Sequence, residues 1–146
     1  MNAKILHALV KLGFRPEVVE DFGYGFKYET HNILVMDSDD DYLNLSFPSI
    51  RDTDASNELM YYQLMDNINL RLKYVKAYMM GDDIWLSIDR ELFEDDNLKD
   101  ALMSMITRLD IADGIIHDAL EKVLSHEDDE EDDDTDSDDS DNNSDK

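Results

Sequence analysis

The sequence predicts a single α+β domain followed by an acidic tail. Three observations predict it. Apolar side chains recur at helical spacing near both ends and once in the middle. Between those segments the period drops to two and the residues turn aromatic and β-branched. At 146 residues, the chain has room for one domain of common size and little more.

Residues 2–13 carry Ile5, Leu6, Leu9, Val10 and Leu12 on one side and Lys4, His7 and Lys11 on the other, a short amphipathic helix that Gly13 stops. From Glu17 to Ile50, Phe22, Tyr24, Phe26 and Tyr28 alternate with glycines and charged residues. The apolar run Ile33–Met36 follows, then Tyr42, Leu43, Leu45 and Phe47. With turns placed at His31-Asn32 and Asp37–Asp41, this reads as a three-strand antiparallel meander.

Helical spacing returns over 56–72, where Tyr61, Leu64, Met65, Ile68 and Leu72 form a stripe and Asp54 or Ser56 serves as cap. Tyr74–Met80 and Ile84–Leu92 then form a two-strand hairpin around Gly81-Asp82-Asp83. The last element is a long helix capped by Asp95 or Asp96. Its apolar residues Leu98, Leu102, Met105, Leu109, Ala112, Ile116, Ala119 and Val123 make a heptad seam, which Ile106, Ile115, Leu120 and Leu124 widen into a second stripe. One sheet face covers one side of a helix. The wide stripe is therefore either a broad core face or a surface buried against a partner, and Ile106, Ile115 and Leu120 are its candidate contact residues. Trp85, Phe47 and Tyr28 are the strand residues expected to repay a search for outward placement, with Trp85 added to the candidate binding set.

The domain is assigned to residues 1–125 and a disordered acidic tail to 126–146, since the tail offers nothing apolar to pack. That tail holds 13 Asp and Glu and one Lys, half of the net charge of −24. The body is equally negative and its basic residues are scattered singly, which argues against a nucleic-acid surface. Without cysteine there is no disulfide framework, thiolate metal site or Cys nucleophile. The apolar stretch in the first dozen residues is broken by His7 and Lys11, and the uncharged apolar stretches are too short for a membrane span. A cytoplasmic protein is the default expectation.

No constellation reads as a catalytic or cofactor site. Asp37–Asp41 offers acids at positions 1, 3 and 5 of a calcium loop, but Tyr42 stands where glycine is needed and Pro48 where a bidentate Glu is needed. Gly81-Asp82-Asp83 looks like the metal-binding hairpin of RNA-dependent polymerases. Two-metal chemistry needs further carboxylates in a cationic site, and a tight β-turn is the plainer role. Asp113, His117 and Glu121 share one helix face and are expected to be solvated rather than to ligate a metal. No Gly-x-Ser-x-Gly elbow or phosphate-cradling glycine loop is present. Cofactors and metals are accordingly expected to be absent. The eight Met and seven Tyr cluster partly at Met60-Tyr61-Tyr62 and Met79-Met80, an adaptable surface if exposed.

The order helix, three strands, helix, two strands, long helix resembles the YbjN-like family, whose domain shares the fold of type III secretion chaperones. The resemblance is most specific at Asn67-Ile68-Asn69-Leu70-Arg71-Leu72-Lys73-Tyr74-Val75-Lys76-Ala77-Tyr78 and at Asp82-Asp83-Ile84-Trp85-Leu86-Ser87-Ile88, and it covers about residues 2–124. It implies a non-enzymatic domain, chaperone-like or an adaptor, that binds a segment of a partner protein or pairs as a homodimer. The alternative, from a different class, is a regulatory or sensory domain that answers a small ligand or cation through the acidic tail.

Overall fold

A computed structural model describes residues 3–36 and 41–131. Helix α1 (Ala3–Lys11) is followed by strands β1 (Glu17–Val19), β2 (Gly23–Tyr28), β3 (His31–Met36) and β4 (Tyr42–Asp52). A 3-10 turn (Ala55–Asn57) leads into α2 (Glu58–Asn69), then β5 (Val75–Met80), β6 (Asp83–Glu91) and α3 (Leu98–Glu131). The strands form one antiparallel sheet in the order β1-β2-β3-β4-β6-β5. The architecture is thus the α+β arrangement predicted, with the hairpin β5–β6 joined to the meander through β6.

Several local expectations shift. The first block contains four strands, because Glu17–Val19 pairs with β2 across a turn that takes in Phe22. Gly25 eases that pairing: a Cβ there would lie 3.0 Å from Val19 Cγ2, which would have to give by a few tenths of an ångström. His31 and Asn32 open β3 instead of turning, and Glu29 (φ 52°) turns the chain ahead of them. Apart from Asp41, the acidic turn Asp37–Asp41 lies outside the described residues. The cap of α3 is Asn97, whose side chain accepts from the Asp100 amide at 3.2 Å. Asp96 instead accepts from the Phe93 amide (2.8 Å) and from Arg90 Nη2 (2.7 Å), tying the connection to β6. The helix α3 also continues to Glu131, past the boundary drawn at residue 125, and the rest of the tail lies outside the described residues.

Gly13 stops α1 as expected. At φ 93° its amide reaches Val10 O at 3.0 Å and the Phe14 amide reaches Leu9 O at 3.1 Å, the paired bonds of a Schellman motif.

All three helices share one core with a single face of the sheet. Phe26, Ile33, Val35, Leu43, Leu45, Phe47, Val75, Ala77, Ile84, Leu86 and Ile88 point inward from the strands. Facing them are Ile5 and Leu9 of α1, Tyr61, Leu64, Met65 and Ile68 of α2, and Leu102, Met105, Ile106, Leu109, Ile116 and Leu120 of α3. The heptad seam of α3 therefore faces the core, and in the second stripe Ile106 and Leu120 are buried with it.

The edge strand β5 is closed by a side chain. Asn69, at the end of α2, donates from Nδ2 to Ala77 O (2.8 Å) and accepts at Oδ1 from Ala77 N (2.9 Å), standing in for a neighbouring strand. Both bonds are part-buried, so Asn69→Ala should cost roughly 1–3 kcal/mol. Asn69→Asp keeps the shape but presents an acceptor to the Ala77 carbonyl. In urea unfolding at neutral pH it should be at least as destabilising as Asn69→Ala, and it should recover on acidification as the carboxyl regains a donor. A neutral effect from both changes would mean that the edge needs no closure.

Candidate functional site

Three places gather the polar and apolar residues capable of recognition. The first is the outer face of the sheet, which no helix covers. Period two puts Leu34, Asn44, Ser46, Lys76, Tyr78, Trp85, Ser87 and Asp89 there. Asn44 Nδ2 donates to Asp89 Oδ1 (2.6 Å), Lys76 Nζ pairs with Asp89 Oδ2 (3.3 Å), and Ser46 Oγ donates to Asn44 Oδ1 (3.3 Å). This polar ladder occupies one end, and half-exposed Trp85 lies opposite Tyr78 at the other. Trp85 is thus outward, as the sequence suggested; Phe47 is fully buried and Tyr28 packs on the core.

The second place joins β3 to α3. Asp113 is buried, with Oδ2 at 3.4 Å from His31 Nε2 and Oδ1 at 3.1 Å from His117 Nε2. Among the described residues, Oδ1 has no hydrogen-bond partner. His31 also lies 3.6 Å from Asp110 Oδ1 and stacks on Phe47 at 4.4 Å between ring centroids. The helix-face triplet read from sequence is corrected here. Asp113 is core rather than solvated, and its second neighbour is His31 from a strand, while Glu121 is exposed. No one-dimensional signal could have found His31, whose partner is 82 positions away by residue number. Among the described residues, no group of three or more His, Cys, Asp or Glu is arranged to hold a metal ion.

The third place is the seam between α2 and α3. Leu70, Asn67 and Arg71 face Ala119, Lys122 and Val123 across a groove of about 480 Å³. Along α3 from this groove come Ile115 and Ile111, and then Arg108, whose guanidinium lies 4.3 Å above the Tyr74 ring. Here the candidate contact residues divide. Ile106 and Leu120 are 0% exposed and belong to the core, whereas Ile115 is 38% exposed. Ile111, which sequence reading passed over, is 60% exposed and Leu70 81%.

The neighbouring carboxylates at the polymerase-like hairpin make a strained pair instead of a site. Asp52 and Asp83 are register partners on β4 and β6. The side-chain hydrogen bond to Asp83, then the repulsion of its charge, raises the Asp52 pKa above the ordinary carboxylate value. Gly81, at φ 62°, supplies the two-residue turn beside them.

No helix among the described residues is long and apolar enough to cross a membrane. No family model matches the sequence, and no curated protein matches it either. Among solved structures, the chain superposes on YbjN from E. coli, a proposed transcription regulator, with a TM-score of 0.63 at 14% identity over 82% of this chain and 90% of that one. The fold is YbjN-like. An uncharacterized protein from Methanothermobacter thermautotrophicus matches at a TM-score of 0.56 and 16% identity, over 82% of this chain and 95% of that one. At these identities the likeness to YbjN concerns the fold, and the chemistry has to be argued from the residues present.

A group whose folded pKa is raised makes its favourable contribution at low pH and loses it as pH rises through that value. Asp52→Asn should therefore raise the thermal midpoint at pH 7, where it removes the charge held against Asp83. The gain should shrink at acid pH, where Asp52 takes up its proton in the folded state. Melts at the two pH values check this, and an equal gain at both would remove Asp83 as the cause.

Proposed function

We propose that this domain is a non-catalytic protein-binding module, chaperone-like or an adaptor, that holds a segment of a partner protein on apolar surface. One observation carries the reading. Val10, Leu59 and Tyr62 are exposed singly on α1 and α2, whereas Leu70 lines the α2–α3 groove and exposed Ile115 and Ile111 continue along α3 from it. Scattered exposed hydrophobes need no explanation, but grouped ones mark interaction sites. Trp85 offers a second contact point on the outer face. The YbjN-like fold supports the reading, because the resemblance to secretion chaperones implies capture of extended client segments. The alternative assembly for the same surface is a homodimer. The net charge of −24 disfavours nucleic acid as a partner.

A second reading, a regulatory domain answering a small ligand or cation, is favoured by one feature. A cleft of about 620 Å³ opens beside β1 and β2, with Phe14, Val19, Phe26 and Leu34 in its lining and Arg15 and Lys27 among its charged groups. That volume lies in the range of small-molecule pockets.

The test places a photo-reactive residue at position 115, or separately at 85, in the full-length protein. Irradiation in lysate of the native host should give discrete protein adducts from at least one of the two positions. Clean self-adducts alone would select the homodimer. An absence of adducts at both positions, together with a ligand-induced rise in melting temperature, would move the function to the cleft.

A further inference from the structure

The seam between α2 and α3 differs from the rest of the surface in charge. The chain contains 37 acidic residues in 146, yet the groove lining contains none and includes Arg71 and Lys122. Continuing along α3 toward its start, the same strip presents Ile115, Ile111 and Arg108. The positions 108, 111, 115, 119 and 122 are spaced by three or four residues, which keeps them on one helix face over about 21 Å. None of Arg71, Arg108 and Lys122 has a carboxylate partner among the described residues. Arg71, Lys122 and Arg108, the last stacked on Tyr74, border exposed Leu70, Ile111 and Ile115, a surface both greasy and positive in a protein that is otherwise strongly negative.

The backbone adds an independent observation. Tyr74, whose ring lies under Arg108 at the far end of the strip, has φ 69°. That is the left-handed region, unusual for a bulky residue, and strain of this kind gathers at functional surfaces.

Resting on the protein-binding reading above, we propose that this strip is the docking site for an amphipathic helix of another protein, one that carries Leu-type residues on one stripe and Asp or Glu beside it. The apolar stripe covers Leu70, Ile111 and Ile115, and the flanking carboxylates pair with Arg71, Arg108 and Lys122. Two other occupants fit less well. A second copy in a two-fold contact sets the same patch against itself, cation facing cation. The chain's own acidic tail offers charge but has no apolar residue from Asp128 to Lys146 to cover the isoleucines.

The test uses the full-length protein and two labelled synthetic helical peptides of about four turns. Both carry Leu at alternating three- and four-residue spacing, one with Glu and the other with Lys at the flanking positions. Fluorescence anisotropy in ~150 mM salt, where distant charges are largely screened, should show binding of the Glu peptide and not of the Lys peptide. Ile111→Ser with Ile115→Ser should weaken it about tenfold. Arg71→Glu with Lys122→Glu should weaken the Glu peptide about tenfold and confer binding of the Lys peptide. All four side chains are exposed or near-exposed, and a circular-dichroism melt confirms that the variants stay folded. Preference of the unmutated protein for the Lys peptide overturns the proposal, as does Glu-peptide binding that neither double variant changes. A dimer mass lost in Ile111→Ser/Ile115→Ser overturns it in favour of a second copy. Absence of binding by either peptide overturns the acidic-helix occupant. None of these results removes the broader protein-binding reading, which stands or falls on partner adducts at positions 85 and 115.

Discussion

One face of α3 lies along the inner face of the sheet, and this contact determines where the remaining groups of the molecule can stand. Leu102, Met105, Ile106, Leu109, Ile116 and Leu120 supply its helix side, and Leu43, Leu45, Phe47, Ile84, Leu86 and Ile88 its sheet side. Burial of each such side chain contributes ~1.5–3 kcal/mol before the entropy of ordering is counted. Helices α1 and α2 then extend the same core on the face that α3 occupies, which leaves the outer face of the sheet to solvent. With its rotation about its own axis fixed, α3 turns Asp113 toward His31 and leaves Ile111 and Ile115 outside the buried arc.

Two polar arrangements accompany that packing, and they differ in completeness. Asn69 satisfies both backbone groups of Ala77 and so seals an edge that would otherwise invite another strand. Asp113 is buried between two imidazoles, and among the described residues one of its oxygens lacks a hydrogen bond, a costly arrangement unless its neighbours compensate. The approach of His31 and His117 to that carboxylate links the start of β3 to the middle of α3.

Much of this fold was legible in the sequence because period is a local property. The apolar seam of α3, the alternation in β6 and the stop at Gly13 each depend on neighbours within a few positions. What stayed hidden depends on partners far along the chain. A heptad seam says that a stripe is buried, but not what buries it. The sheet took the seam together with Ile106 and Leu120. Ile115 and the unnoticed Ile111 fall on the other side of the helix at ~100° per residue. Glu17–Val19 is too short for alternation to declare it a strand. Asn97, not Asp95 or Asp96, takes the capping position, and Asp96 is engaged by Arg90. The site was legible only as a suspicion that α3 carried more apolar surface than a sheet could cover. Its location at the α2 seam required the two helices to be seen side by side.

The functional proposal follows from that division of α3 into a face that holds the fold and a strip that does not. Urea unfolding of Leu120→Ala and Ile115→Ala, measured at low protein concentration, tests the division most directly. Leu120→Ala should cost about 2–5 kcal/mol, as for a fully buried leucine, and half-exposed Ile115→Ala less than about 1 kcal/mol. Equal losses, or the larger loss at Ile115, would contradict that division.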